Sequence, residues 1–100
     1  MRPITVTLVS PGVSAGILMN WRITPFNVGI GCVVSGSVVY NVEHSFENPP
    51  TNWFQNANIS EATTSLDTNY MFPVQFVRLN LVSGSGSVTM TLIQSGGVPG

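Results

Sequence analysis

Apolar and polar residues alternate singly along most of this chain, which is the period of a strand with one buried face. "ITVTLV" (4–9) sets Ile4, Val6 and Leu8 on one face and Thr5 and Thr7 on the other. "ILMNWRI" (17–23) places Ile17, Met19, Trp21 and Ile23 together, opposite Asn20 and Arg22, so Trp21 is expected in the core. "FNVGIGCVV" (26–34) and "VVYNVEHSF" (38–46) continue the pattern. It lapses over 47–73 and returns in "VQFVRLNLV" (74–82) and "VTMTLIQ" (88–94). No stripe at helical spacing occurs.

Register extends the argument, because a slip of one residue turns every side chain to the other face. A three-residue loop, Ser35-Gly36-Ser37, makes a hairpin in which Val34 meets Val38, Cys32 meets Tyr40, Ile30 meets Val42, Val28 meets His44 and Phe26 meets Phe46. One face is then apolar. Asn41, Glu43 and Ser45 point away from it. A four-residue loop, Ser83-Gly84-Ser85-Gly86, likewise pairs Leu81 with Val88, Leu79 with Met90 and Val77 with Leu92. Arg78 and Asn80 then lie outside.

Two sheets can stack such faces about 10 Å apart. The expectation is an all-β fold, an antiparallel β-sandwich or jelly-roll-like barrel of roughly six to eight short strands. One hundred residues hold one modest core. The domain is expected over residues 1–94, with 95–100 ("SGGVPG") as a flexible or partner-bound tail.

Composition narrows the function. Only 7% of residues are charged, against roughly 25% in ordinary domains. The cations are Arg2, Arg22 and Arg78, with no lysine, and the anions are Glu43, Glu47, Glu61 and Asp67. The net charge is −1. No nucleic-acid partner is expected, since phosphate neutralisation needs clustered cations. No membrane partner is expected either, because no run approaches the ~20 apolar residues of a span. A surface this poor in charge resists self-association weakly and favours an assembly.

The stretch "YNVEHSFENPP" (40–50) holds the only histidine, His44, between Glu43 and Glu47. A zinc site can use such ligand types, but alternation turns Glu43 away from His44. No metal and no cofactor are expected. His44 reads as a residue of the core rim, bonded through a ring nitrogen to a carbonyl or a loop group. Glu43 and Glu47 lack the pocket that a glycosidase carboxylate pair needs. Cys32, the sole cysteine, falls inward beside Tyr40 and reads as a small buried hydrophobe. "SGSGS" (83–87) lacks the lysine of a phosphate loop and is a turn. Asn58-Ile59-Ser60 is read as a chance sequon. Enzyme activity is not expected.

Trp53 and Phe54, after Pro49-Pro50, carry more weight. They either cap one open end of the sandwich, anchor a protein interface, or stack on a sugar. Trp53, Phe54, Pro49, Pro50 and Arg78 are the candidate interface residues.

"TPFNVGIGCVVSGSVVYNVEHSFENP", then "NWF", then "YMFPVQFVRLNLVSGSGSVTMTLIQ" resembles small structural proteins of tailed bacteriophages. The shared features are the SG turn, the Trp53-Phe54 pair, the strand carrying Arg78 and the final glycine-rich turn, over about residues 23–94. Cys32 and the double proline are local departures. The resemblance implies a virion component of the capsid decoration or cement type, at the capsid surface, with no catalytic residues. The implied partners are the major capsid protein or other virion proteins and further copies of the chain, as a homo-oligomer. The alternatives are a glycan- or receptor-binding module on a head fibre or tail, and a low-copy connector or tail component.

Overall fold

A strand with one apolar face is stable only when a second layer covers that face, and the chain meets this need by folding into two sheets. The computed structural model describes residues 3–94. The expected tail lies outside them. The described residues form β1 (Ile4–Leu8), β2 (Gly12–Val13), β3 (Ile17–Leu18), β4 (Val28–Ser35), β5 (Val38–Ser45), β6 (Phe54–Gln55), β7 (Leu66–Tyr70), β8 (Phe76–Gly84) and β9 (Ser87–Gln94), and no helix.

One sheet has the order β1-β9-β4-β7. The other runs β2-β8-β5-β6, and β3 also pairs with β8. All pairings are antiparallel. Taking β2 and β3 as one interrupted strand along β8, each sheet has four strands in the order of a jelly roll. The expected all-β sandwich is what forms.

The inner faces follow the alternation. Val28, Ile30 and Cys32 of β4, Tyr40 and Val42 of β5, Val77, Leu79 and Leu81 of β8, and Val88, Met90 and Leu92 of β9 are all buried. Burial of each such side chain contributes about 1.5–3 kcal/mol, set against the entropy of ordering it.

Strand pairing differs from the expected hairpins. β4 does not pair with β5, nor β8 with β9. β4 pairs with β9 (Ile30 with Leu92, Cys32 with Met90), and β5 pairs with β8 (Tyr40 with Leu81, Val42 with Leu79). Both short loops therefore carry the chain from one sheet to the other. The physical reason is that alternation fixes which face is buried and says nothing about the sheet. Two apolar stripes are satisfied equally side by side or facing each other across the core.

The two corners nest. Gly86 N–H donates to the Ser37 carbonyl at 3.0 Å. A Cβ on Gly86 would lie 2.2 Å from the Ser35 oxygen, and one on Gly84 would lie 2.2 Å from the Ser37 oxygen. Gly36 and Gly84 also take φ of 83° and 116°, where side chains are strained. The glycines are required by backbone contact between corners.

Two further expectations fail at strand ends. The strand expected over 17–23 stops at Leu18. Gln94 holds both backbone groups of Asn20, accepting from its N–H (3.0 Å) and donating to its carbonyl (2.7 Å), and the chain turns there. Parity is lost, and Trp21 is 44% exposed instead of core. Phe46 was expected inward, but β5 ends at Ser45 and Phe46 is 47% exposed.

The outer face of β5 is also not open to solvent as alternation suggested. Asn41, Glu43 and Ser45 are buried. The irregular segment after β6 zips along β5, through Val42 N–H to the Ile59 carbonyl and a reciprocal pair between Tyr40 and Ala62. Asn41 Oδ1 accepts the Glu61 N–H, holding Glu61 at φ 52°.

Candidate functional site

The end of β5 separates the three residues that looked like a ligand cluster. His44 faces inward, Glu43 faces outward, and Glu47 lies past the strand. Each finds different partners.

His44 sits opposite Val77 of β8 and Phe54 of β6. Its Nδ1 is 2.7 Å from the Tyr70 hydroxyl. The partner is thus a strand side chain from the opposite sheet, where a backbone carbonyl or loop group was expected. Aromatic rings enclose the imidazole: Phe46, Tyr70 and Phe72 meet it edge-on at 5.4, 4.9 and 5.5 Å, and Phe54 stacks at 6.0 Å. Burial lowers the His44 pKa and pushes the Tyr70 phenol up to about 12. The bond therefore joins a neutral ring to a phenol that keeps its proton.

Glu43 points to the other face of the sheet, directly across from Arg78. Its Oε1 accepts from Arg78 Nε at 2.7 Å, and its Oε2 accepts from Asn80 Nδ2 at 3.1 Å. Trp53 lies over the guanidinium at 4.2 Å. The tryptophan covers a nearly buried ion pair, so this ring face is already occupied.

Glu47 organises the loop that follows. It accepts from the Thr51 N–H (3.2 Å) and hydroxyl (2.6 Å), and from the Asn52 N–H (2.7 Å) and side-chain amide (3.1 Å). Those bonds, led by the Thr51 hydroxyl, hold its pKa down to about 2. Pro49 and Pro50 ride on this loop, Pro49 exposed and Pro50 half-buried.

Cys32 is buried, and desolvation raises its thiol pKa to about 11. Tyr40 beside it donates its hydroxyl to the Thr64 carbonyl at 2.7 Å, and burial raises its pKa to about 12. Neither group is poised for chemistry at neutral pH.

The five candidate interface residues thus divide. Trp53 and Arg78 come together, Pro49 and Pro50 lie on the neighbouring loop, and Phe54 belongs to the aromatic group around His44. Sequence reasoning missed the larger surface. Phe46, Phe54 and Phe72 are each about half exposed, with ring centroids of Phe46 5.8 Å from Phe54 and 6.2 Å from Phe72. Met71, next to Phe72 in sequence, is 74% exposed. Trp21 and Phe46 line a shared cleft of about 210 Å³ with Pro73, Val74 and Gln75. Of its rings only Phe54 was a candidate interface residue; the further signal was the run "YMFP" (70–73), apolar yet outside any alternating stretch. Among the described residues, no three of His, Cys, Asp and Glu come together as a metal site.

No protein-family model matches the chain, and no curated protein matches it. Among solved structures it is similar to a chain of the Bacillus endospore appendages, described as a family of disulfide-linked pili. The TM-score is 0.54 at 10% identity, covering 95% of this chain and 85% of that one. At this identity the likeness is one of fold.

Proposed function

We propose that this chain is a non-enzymatic structural module that works in many copies, with the surface of a bacteriophage capsid as its setting. The observation that carries the reading is the exposed aromatic patch of Phe46, Phe54 and Phe72, extended by Trp21. Contiguous apolar surface of this kind on a small domain marks a contact site. Phe54 and Phe46 rest on the buried His44–Tyr70 pair, so the rings are pre-positioned, as interface anchors are. The phage resemblance supports the virion setting. The fold likeness to an appendage subunit supports a role in assembly and says nothing of capsids.

The neighbour's assemblies are described as disulfide-linked. This chain has a single cysteine, and Cys32 is buried. A disulfide between copies through Cys32 would require that buried strand position to open.

The test is the copy number of the chain in purified virions of the phage that encodes it, by quantitative mass spectrometry. Many copies per particle are expected, and absence from particles would end the proposal. Phe46→Ala and Phe54→Ala are expected to weaken binding to shells lacking the chain about tenfold or more each. A low-copy result would favour a connector or tail component.

A second reading, glycan binding, moves from Trp53 to Trp21. Trp21 is half exposed beside a concavity of about 350 Å³ edged by Asn20, Arg22, Asn48 and Gln75. A planar ring among amides suits a sugar, and because Arg22 already lies over the ring at 5.0 Å, stacking would require the guanidinium to move or the other ring face to be used. A glycan array decides, with any signal expected to vanish in Trp21→Ala.

A further inference from the structure

The four sheet edges are not alike. β2 and β3 are two residues each and interrupted. β6 is also two residues, and the chain beyond it is irregular. β7 carries Asp67, and its Thr68 hydroxyl accepts from Asn58 Nδ2 at 3.0 Å, which draws the neighbouring loop across that side. Short length, interruption, charge and cover are the usual protections of an edge. Among the described residues, β1 has none of them. It is five residues long, "ITVTL", with no charge, no proline and a continuous register against β9. Among the described residues β1 pairs with β9 alone.

A second observation concerns its faces. Ile4, Val6 and Leu8 alternate with exposed Thr5 and Thr7, yet are only half buried, unlike the fully buried inward residues of β9. Among the described residues, nothing completes the cover of these three side chains. On the outer face Thr7 and Thr89 hydroxyls bond at 3.0 Å, and Thr5 and Thr91 lie 3.4 Å apart, an uncharged ladder that stops at the edge.

We propose that β1 pairs antiparallel with β1 of a second copy, about a two-fold axis through Val6. In that register Ile4 faces Leu8, Thr5 faces Thr7, and Val6 faces its counterpart. Apolar meets apolar on the inner side, and the threonine ladder continues across the axis. A slip of one residue sets threonine against valine or leucine and loses both matches. Pro3 has no N–H, so the ladder ends at Ile4. Such an interface is isologous and closes as a dimer. A five-residue ladder is small, so the affinity is modest and effective mainly where copies are already concentrated.

The pairing rests on the multi-copy reading above, but is tested separately from it. A chain absent from virions that still pairs in solution would refute the virion setting and leave this pairing standing. Sedimentation equilibrium of the full chain from about 10 µM to about 1 mM is expected to show the mass rising from 10.7 kDa toward twice that value. Amide exchange of residues 4–8 is expected to slow as concentration rises. Thr5→Lys with Thr7→Lys places like charges across the axis on an exposed face. It is expected to remain monomeric and folded, with a melting temperature lowered slightly by loss of the hydroxyl contacts to Thr91 and Thr89. Mixed with the Thr5→Glu, Thr7→Glu chain, it is expected to form a one-to-one heterodimer. A wild type that stays monomeric to the top of the range would overturn the proposal. So would a Lys variant that dimerises as the wild type does, open-ended filaments, or exchange that slows elsewhere but not at 4–8.

Discussion

His44 is the residue whose chemistry most directly reports the fold. In the unfolded chain its imidazole titrates near 6.5, and burial among the aromatic rings lowers that value. Between the two pKa values the unfolded state binds more protons, so stability rises with pH. The contribution of His44 is complete above about pH 6.5 and is lost as pH falls through the folded value. The melting temperature is expected to hold between about pH 8 and 7 and to drop on acidification, with His44→Gln flattening the first part of the drop. Glu47 acts lower on the scale. Its pKa falls from 4.5 unfolded to about 2 folded, so its contribution is present above 4.5 and disappears as pH falls toward 2. Glu47→Gln is expected to remove that second acid limb from the melting curve. On the opposite face, Arg78→Ala strands the buried Glu43 carboxylate and is expected to cost about 3 kcal/mol in urea unfolding. Adding Glu43→Gln is expected to recover part of that loss, because the two sites are coupled. The inward direction of His44 was legible from alternation. Its partner was not, because Tyr70 lies 26 residues away in a stretch where the pattern lapses. The pairing of Trp53 with Arg78 was hidden for a related reason. Both sit on the outer face, but only the β5–β8 pairing brings Arg78 beside Glu43 and under the indole.

At the scale of elements, sequence fixed faces better than partners. The inward residues of β4, β5, β8 and β9 were all readable, since period two needs only local information. Partner choice is not local, and the two SG loops satisfied a hairpin register as well as they satisfy a corner. What distinguishes the corners is contact with each other, some fifty residues apart in sequence, which no window along the chain can register. The two-residue strands β2, β3 and β6 are too short to carry a pattern. Trp21 and Phe46 were misplaced because side-chain bonds end their strands, Gln94 at one and the Glu47 loop at the other. The nested corners give a sharp prediction. Gly86→Ala places a methyl group against the Ser35 carbonyl and is expected to destabilise by about 2–3 kcal/mol, measured by chemical denaturation. Ser85→Ala, exposed at the same tip, is expected to be near neutral and serves as the control.

At the scale of the molecule, two sheets close over one core through pairings that are distant along the chain, β1 with β9 and β5 with β8. Folding is therefore expected to be slow for a domain of this size, in the range of milliseconds to seconds, as stopped-flow fluorescence of Trp21 and Trp53 would record. The buried Cys32 predicts the character of any assembly. Its reaction with a thiol reagent is expected only on unfolding, and reducing agents are expected to leave oligomers unchanged by light scattering. The glycine corners also bear on how this protein can be modified. Serine- and glycine-rich tips ordinarily accept peptide insertions and fusion tags. Here each tip forms the wall against which the other is seated, so an insertion in either would part both sheets at once. The polar loops that look most permissive are the ones a display or labelling design has to leave alone.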